Sequence, residues 1–271
     1  MRELIDCHVH TARCGHASGT AEDMLRAARS AGLSAVVITE HLPLPDGLDP
    51  NGCYAMRPAE ILPYAEELAR AARAVPEVLL VPGAESDWIP SRAEETRSFR
   101  SRARAAGIEV LLGSVHFVEG WAFDDPDLVA EWDHHDVYDV WERYFALWCD
   151  AARSGEFEVM AHPDLVKKFG HVPQRDTREL FEAAAAAAAA SGVLIEVSSA
   201  GLRKPVGELY PGPELLRAFA RHGVGATVGS DAHAPEEVGM DISRACDALR
   251  EAGYTQVCLP LGSGETRRIA L

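Results

Sequence analysis

ELIDCHVHTARCGH, residues 3–16, is a short apolar run that opens into two histidines one residue apart, with a cysteine and a third histidine soon after. The run is too short for a buried helix and leads into a glycine-containing segment, so Glu3 to Cys7 reads as a strand. Side chains alternate faces along an extended chain, so His8 and His10 point one way and Cys7 the other. Two imidazoles on the same side of a strand end can both reach one ion.

Further short apolar runs lie at Ala35 to Thr39, Val78 to Pro82, Glu109 to Gly113, Glu158 to Ala161, Leu194 to Val197 and Ala226 to Gly229. An eighth, Gln256 to Leu259, is placed to close the set. Between them lie segments at helical spacing: Thr20 to Ser30, Pro58 to Ala74, Ala93 to Ala106, Val137 to Arg153, Thr177 to Ser191, Pro213 to His222 and Pro235 to Ala252. This alternation predicts β/α units around a mainly parallel sheet. Thr20 offers a capping oxygen, Pro58, Pro213 and Pro235 suit a first helical turn, and Gly32, Gly107 and Gly192 suit helix stops. The alanine run 183–190 reads as a helix that packs closely, alanine having the highest helix propensity. No Pro/Ser-rich linker divides the chain, which is expected to be one domain over residues 1–271.

The 271 residues are 47% hydrophobic and 7% aromatic, the balance of a globular protein. No segment approaches the ~20 apolar residues of a membrane span, and no secretory leader is evident, so a cytoplasmic location is expected and no membrane partner. The six cysteines are widely scattered, which favours reduced thiols over a disulfide framework. A formal net charge of −16 repels phosphate backbones, so no nucleic-acid partner is expected. Bound cations would offset part of that charge.

The chemistry-bearing residues gather at or just after the strand ends: His8 and His10, Glu40 and His41, Glu85, His116, His162, the Ser198/Ser199 pair, then Asp231 and His233. In an α/β barrel the strand ends meet on one face, where such folds carry their chemistry. Asp231 and His233 in GSDAH repeat the spacing of His8 and His10 and imply more than one ion. Cys7 and Cys14 are weaker ligands by position, having no CxxC partner, and His134 and His135 read as an exposed helix start. The stretch His116 to Asp136 exceeds a routine connection and is a candidate lid.

DCHVHT, TEHLPL, GAESDW, GSVHF, AHPD and GSDAH, in that order from Asp6 to His233, resemble the motifs of the polymerase-and-histidinol-phosphatase (PHP) family. The resemblance implies a distorted seven-stranded β/α, TIM-like barrel in a single domain, matching the strand count. It also implies two or three divalent ions, zinc, iron or manganese. His8, His10, Glu85 and Asp231 would surround one, Glu85, His116 and His162 the next, and His16, His41 and His233 the third. Glu40 and Asp6 either ligate or orient ligands. GSVHF with GWAFD, and SSAGLRKPVGELYP, resemble the stand-alone histidinol-phosphate phosphatases of histidine biosynthesis.

That resemblance implies a small-molecule phosphate monoester as substrate. Hydrolysis of such esters needs a nucleophile at neutral pH and cancellation of phosphoryl charge, and a water bridging two ions meets the first need. Arg203 and Lys204 in GLRKP, and Lys167 and Lys168 in DLVKKFG, are the candidate phosphate-holding cations. Asp164, His233 or a metal-bound water would protonate the leaving group. Asp87 is expected to pair with an ammonium of the substrate, with Trp88 as an apolar wall. The alternatives are a PHP phosphoesterase acting on nucleotides or short nucleic acids, and a non-catalytic metal-binding barrel.

Overall fold

The computed structural model describes residues 3–271. Seven strands form one sheet: β1 (Ile5–Val9), β2 (Ala35–His41), β3 (Leu79–Asp87), β4 (Val110–Ser114), then, beyond the small hairpin of β5 (Phe117–Val118) and β6 (Trp121–Ala122), β7 (Val159–Met160), β8 (Leu194–Ser198) and β9 (Ala226–Gly229). Neighbours in the order β1-β2-β3-β4-β7-β8-β9 pair in parallel. The sheet curls until Val9 bridges Ala232 and His10 N donates to Ala232 O at 2.9 Å, so the residues just past β9 complete the wall beside β1. The result is a distorted TIM-like barrel.

Helices α1 (Ala21–Ser30), α2 (Ile61–Ala74), α3 (Ala93–Ala105), α4 (Val137–Arg153), α5 (Arg178–Ser191), α6 (Pro213–Arg221) and α7 (Ile242–Glu251) surround the sheet. Their starts are held by local chemistry. Thr20 and Asp23 form a reciprocal capping box at α1, and the Asp136 side chain accepts from Tyr138 N and Asp139 N at α4. In α5 the alanines at 184, 185, 187 and 188 are buried, and their small side chains let the helix lie close to its neighbours.

Four sequence expectations are corrected. Gln256 to Leu259 does not enter the barrel: β10 (Gln256–Gly262) pairs antiparallel with β11 (Glu265–Ala270), because the approach of β1 to the post-β9 segment leaves no gap to fill. The helix expected from Pro235 is a 3-10 turn, Pro235–Glu237, broken where Gly239 and Asp241 take left-handed φ of 75° and 57°, and α7 begins at Ile242. The helix expected from Pro58 opens with a 3-10 turn, Pro58–Glu60, before α2. Finally, β3 does not stop at Pro82 but runs to Asp87, which puts Glu85 inside a strand rather than on a loop.

The stretch after His116 folds into the β5–β6 hairpin and a 3-10 segment, Pro126–His134. Trp132 anchors it: Nε1 donates to Phe123 O at 3.0 Å, and the ring stacks on His171 at 4.4 Å. Among the described residues no helix is long and apolar enough to cross a membrane.

Tyr64 of α2 pins β2 to β3 directly beneath the site. Its buried hydroxyl accepts from Glu40 N at 3.1 Å and lies 2.7 Å from Gly83 O and 3.0 Å from Ile38 O. Tyr64→Phe is expected to lower unfolding free energy by about 1–3 kcal/mol, the cost of stranding buried backbone groups. Equilibrium urea denaturation of the two proteins checks this.

Candidate metal centre and active site

Glu85 sits at the centre of the barrel mouth, 1% exposed. Its Oε2 is 3.1 Å from His8 Nε2, 3.4 Å from His10 Nε2 and 3.3 Å from His41 Nδ1. Its Oε1 is 3.0 Å from His162 Nε2 and 3.7 Å from His116 Nε2. Asp231 Oδ1 closes the other side, 3.3 Å from His10 Nε2 and 3.7 Å from His8 Nε2. Side chains from β1, β2, β3 and the segments after β4, β7 and β9 therefore converge on one point.

Outer partners fix which ring nitrogen faces inward. His8 Nδ1 is 2.9 Å from Glu196 Oε1, His116 Nδ1 is 3.0 Å from Asp87 Oδ1, His16 Nδ1 is 2.9 Å from Cys53 O, and His233 Nδ1 is 3.1 Å from Asp231 O. Each acceptor takes the Nδ1–H, which leaves Nε2 as a bare lone pair. Yet His16 Nε2 and His233 Nε2 face each other at 3.0 Å, and His8 Nε2 lies 2.9 Å from His10 Nε2. At the His16/His233 contact both Nδ1–H groups are taken by carbonyls, so two lone pairs meet there unless a cation lies between them, and the donor set fits divalent metal. Donor atoms within 4.8 Å of one another group as His8/His10/Glu85, as His41/Glu85/His116, as His10/His41/His233 and as Cys14/His16/His233.

The electrostatics agree. Burial opposes the charge on Glu85, but His41 and His8, with hydrogen bonds from His10 and His162, outweigh it and hold the carboxyl well below its usual range. Asp231 is held down in the same way, against burial, by His8, His10 and His233. Burial also works against a proton on His8, yet Glu196, Glu85 and Asp231 raise its pKa well above normal. The field that would draw a proton there would equally draw a divalent cation. At the rim, burial and the nearby His10 take His233 down to about 3, so its ring is neutral at physiological pH.

Two acidic residues left open by sequence have outer partners. Glu40 accepts from Thr11 N at 3.0 Å and His41 N at 3.0 Å and stands 3.5 Å from His10 Nδ1. Asp6 accepts from Ser230 N and Gly239 N, both at 2.8 Å, tying β1 to the loop that carries Asp231. Glu196 was missed by sequence reasoning. It bonds His8 Nδ1 and accepts from His162 N at 2.8 Å, so it steadies residues on both sides of the cluster. The available signal was one carboxylate inside the apolar run VLIEV of β8.

The substrate-side candidates separate. Arg203 reaches the cluster: Nη2 donates to Ser230 O at 2.8 Å, while the buried Nη1 has no hydrogen-bond partner among the described residues. Lys204 is exposed. Lys167, 3% exposed, is committed to Asp164 Oδ2 at 2.9 Å and Glu208 Oε2 at 3.1 Å, because its short reach ends in that carboxylate pair. Asp164 keeps Oδ1 buried and free while Oδ2 also accepts from Gly212 N. Asp87, expected to meet an ammonium, is instead occupied by His116, from both Nδ1 and the backbone N. Trp88 turns to the helical layer, where Nε1 donates to Asp150 of α4 at 2.9 Å and the ring meets Phe157 edge-on. It stands behind the strand because Asp87 and Trp88 alternate faces. Cys14 comes within the His16/His233 group, and its Sγ donates to Thr11 O at 3.3 Å, while Cys7 is buried on the opposite face of β1 from the histidines. His134 and His135 end the 3-10 segment away from the cluster, His135 stacking on Trp121.

Fold and donor set together define an α/β barrel whose strand ends carry a shared carboxylate ringed by imidazoles. The pattern described as the PHP domain matches residues 6–200, and the chain belongs to that family. A probable histidinol-phosphatase of Deinococcus radiodurans is 37% identical over 255 residues, 93% of this chain and 95% of that protein. A probable histidinol-phosphatase of Schizosaccharomyces pombe is 25% identical over 96% of this chain and 92% of its own. Among solved structures, the histidinol phosphate phosphatase of Lactococcus lactis, complexed with zinc, L-histidinol and phosphate, superposes with a TM-score of 0.79 at 18% identity, over 98% of this chain and 99% of that one. A histidinol phosphatase structure from Listeria monocytogenes gives 0.76 at 20% identity, over 89% and 99% of the two chains. The barrel is therefore shared with both.

Glu196→Gln keeps the shape but can present an amide N–H where His8 Nδ1 needs an acceptor. Metal affinity is expected to fall roughly 10–100-fold, read by competition with a chromophoric chelator. Gly229 is the tightest point nearby, since a Cβ there would lie 2.0 Å from Glu196 Oε1 and 2.6 Å from His8 Cβ. Gly229→Ala should lower metal affinity as Glu196→Gln does and also reduce the melting temperature.

Proposed function

We propose that this chain is a metal-dependent phosphomonoesterase that hydrolyses L-histidinol phosphate to L-histidinol and phosphate. The observation that carries the reading is Glu85, whose two oxygens lie 3.0–3.7 Å from five imidazoles in a buried cluster, with the unpaired Arg203 Nη1 on the loop side of the same mouth. The family membership and the 37% identity to a probable histidinol-phosphatase support the substrate class. No two of the six cysteines are joined in a disulfide among the described residues, which supports action in a reducing compartment.

In this reading His8, His10, Glu85 and Asp231 would hold one ion, Glu85, His116 and His162 a second, and His16, His41 and His233 a third. Zinc, iron and manganese all suit such mixed imidazole and carboxylate donors. Bound ions supply charge cancellation on the phosphoryl oxygens and the means to activate a water at neutral pH. Arg203 orients the phosphate through its free Nη1. Asp164 is the group placed to pass a proton to the leaving alkoxide, through the buried Oδ1 that no described group bonds; burial raises its pKa, partly offset by Lys167 on Oδ2. His233, neutral above about 3, acts as a ligand rather than an acid. Glu196, Asp87 and Glu40 keep the ligating rings turned inward.

The whole chain would act as one unit, since Asp231 and His233 lie beyond the residues matched by the family pattern. Purified protein is expected to prefer histidinol phosphate over nucleotide 3′-phosphates and oligonucleotides in a matched-metal assay; the reverse preference would replace this substrate. Arg203→Ala should cut kcat/KM at least 100-fold with metal content unchanged, whereas His8→Ala and Asp231→Ala should lose activity and metal together. Retained metal stoichiometry in either ligand variant would contradict the assignment.

A further inference from the structure

Tyr210 is a buried phenol that neither the metal cluster nor the phosphate-holding cations account for. It is 1% exposed, and its hydroxyl has no hydrogen-bond partner among the described residues. Its backbone is clamped to the end of β8, with Ser198 N donating to Tyr210 O at 2.6 Å and Tyr210 N to Ser198 O at 3.0 Å, so the ring is rooted on the barrel wall. The tip lies against the Ala200–Arg203 turn: a Cβ on Gly201 would stand 3.0 Å from Tyr210 Cζ. Arg203, at the end of that turn, carries a second unpartnered donor, Nη1. The Lys167 ammonium is 5.7 Å from the centre of the phenol ring.

The groups whose charge this hydroxyl feels are those of the mouth. Burial first, then the carboxylates of Asp164, Asp231 and Asp124, push the phenol well above its usual pKa, with Arg203 opposing. Those groups come from the segments after β7, after β9, after β6 and after β8, and Asp231 among them is part of the cluster around Glu85. A phenol held protonated there is a neutral donor. Buried hydroxyls are almost always paired, and one left bare against the turn that ends at Arg203, whose Nη1 is bare as well, fits an acceptor-rich ligand that both can reach.

We propose that Tyr210 is a substrate-binding residue whose hydroxyl donates, together with Arg203 Nη1, to the phosphoryl oxygens of a phosphate monoester or of the product phosphate. This rests on the phosphatase reading above. Its specific content is a neutral second donor, which adds a directed hydrogen bond without the added positive charge that would slow release of the dianionic product.

The test is titration calorimetry of inorganic phosphate into the metal-loaded protein and its Tyr210→Phe variant, with metal content and melting temperature measured on the same samples. Because the hydroxyl bonds to no described protein group, Tyr210→Phe should match the parent in melting temperature and metal content. Its phosphate Kd should rise about 10–100-fold, the size of one hydrogen bond to a charged acceptor, and KM for histidinol phosphate should rise with it. An unchanged phosphate Kd would overturn the role of Tyr210 while leaving the phosphatase reading intact. Weaker binding that comes with a lower melting temperature or lost metal would assign Tyr210 to packing and overturn it equally. A parent protein that binds no phosphate would overturn both readings.

Discussion

An ionised carboxylate buried to 1% exposure is the constraint around which this barrel is arranged. Burying an isolated charge is prohibitive, so Glu85 can exist in the core only because positive or cation-attracting groups surround it. Five imidazoles do so, and Glu196 and Asp87 fix two of them, His8 and His116, from outside, while backbone carbonyls do the same for His16 and His233 at the rim. One buried anion thus organises two layers of polar residues drawn from nearly every strand. The negative formal charge of the chain includes several of these carboxylates, whose role is to position cationic or metal-binding groups.

Rigidity comes from where the donors are rooted. His8, His41 and Glu85 lie in or at the end of strands of the parallel sheet, not on free loops. Two others sit on strained backbone: His162 has a φ of 25° and Asp231 one of 51°. Left-handed conformations in non-glycine residues persist only where surrounding structure over-determines them. Here the over-determination is visible. Tyr144 Oη donates to His162 O at 3.2 Å, Glu196 holds His162 N, and Asp6 and Arg203 hold the loop that carries Asp231.

On the substrate side, the charged groups neutralise each other more than their sequence positions suggest. Lys167 closes on Asp164 and Glu208, and Lys168 on Asp124 at 2.9 Å, whereas Arg203, with Nε 3.6 Å from Glu237, keeps a buried Nη1 that no described group bonds. The reason is geometric. A lysine ends in a compact charge that one or two carboxylates satisfy, whereas a guanidinium spreads its donors and can bond the protein with one edge while offering another.

The local pattern of the chain was enough to read the β/α alternation, seven barrel strands and the histidines and carboxylates at the strand ends, because period-two alternation and the position of a residue at a strand end are written in adjacent letters; their grouping around Glu85 was implied by the resemblance to the PHP motifs. Glu196 escaped that reading, since one charge within VLIEV has no local signal for what lies across the barrel. Asp87 and Trp88 differed for the same reason: adjacent residues on a strand face opposite layers, and only the packed neighbours, His116 and Asp150, decide what each one meets. The alternation of side chains along single strands was determined by sequence alone. Which carboxylate turns which imidazole, which cation stays unpaired, and how β1 meets the segment after β9 were decided by tertiary structure, because those contacts join residues up to hundreds of positions apart that the curvature of the closed sheet brings together.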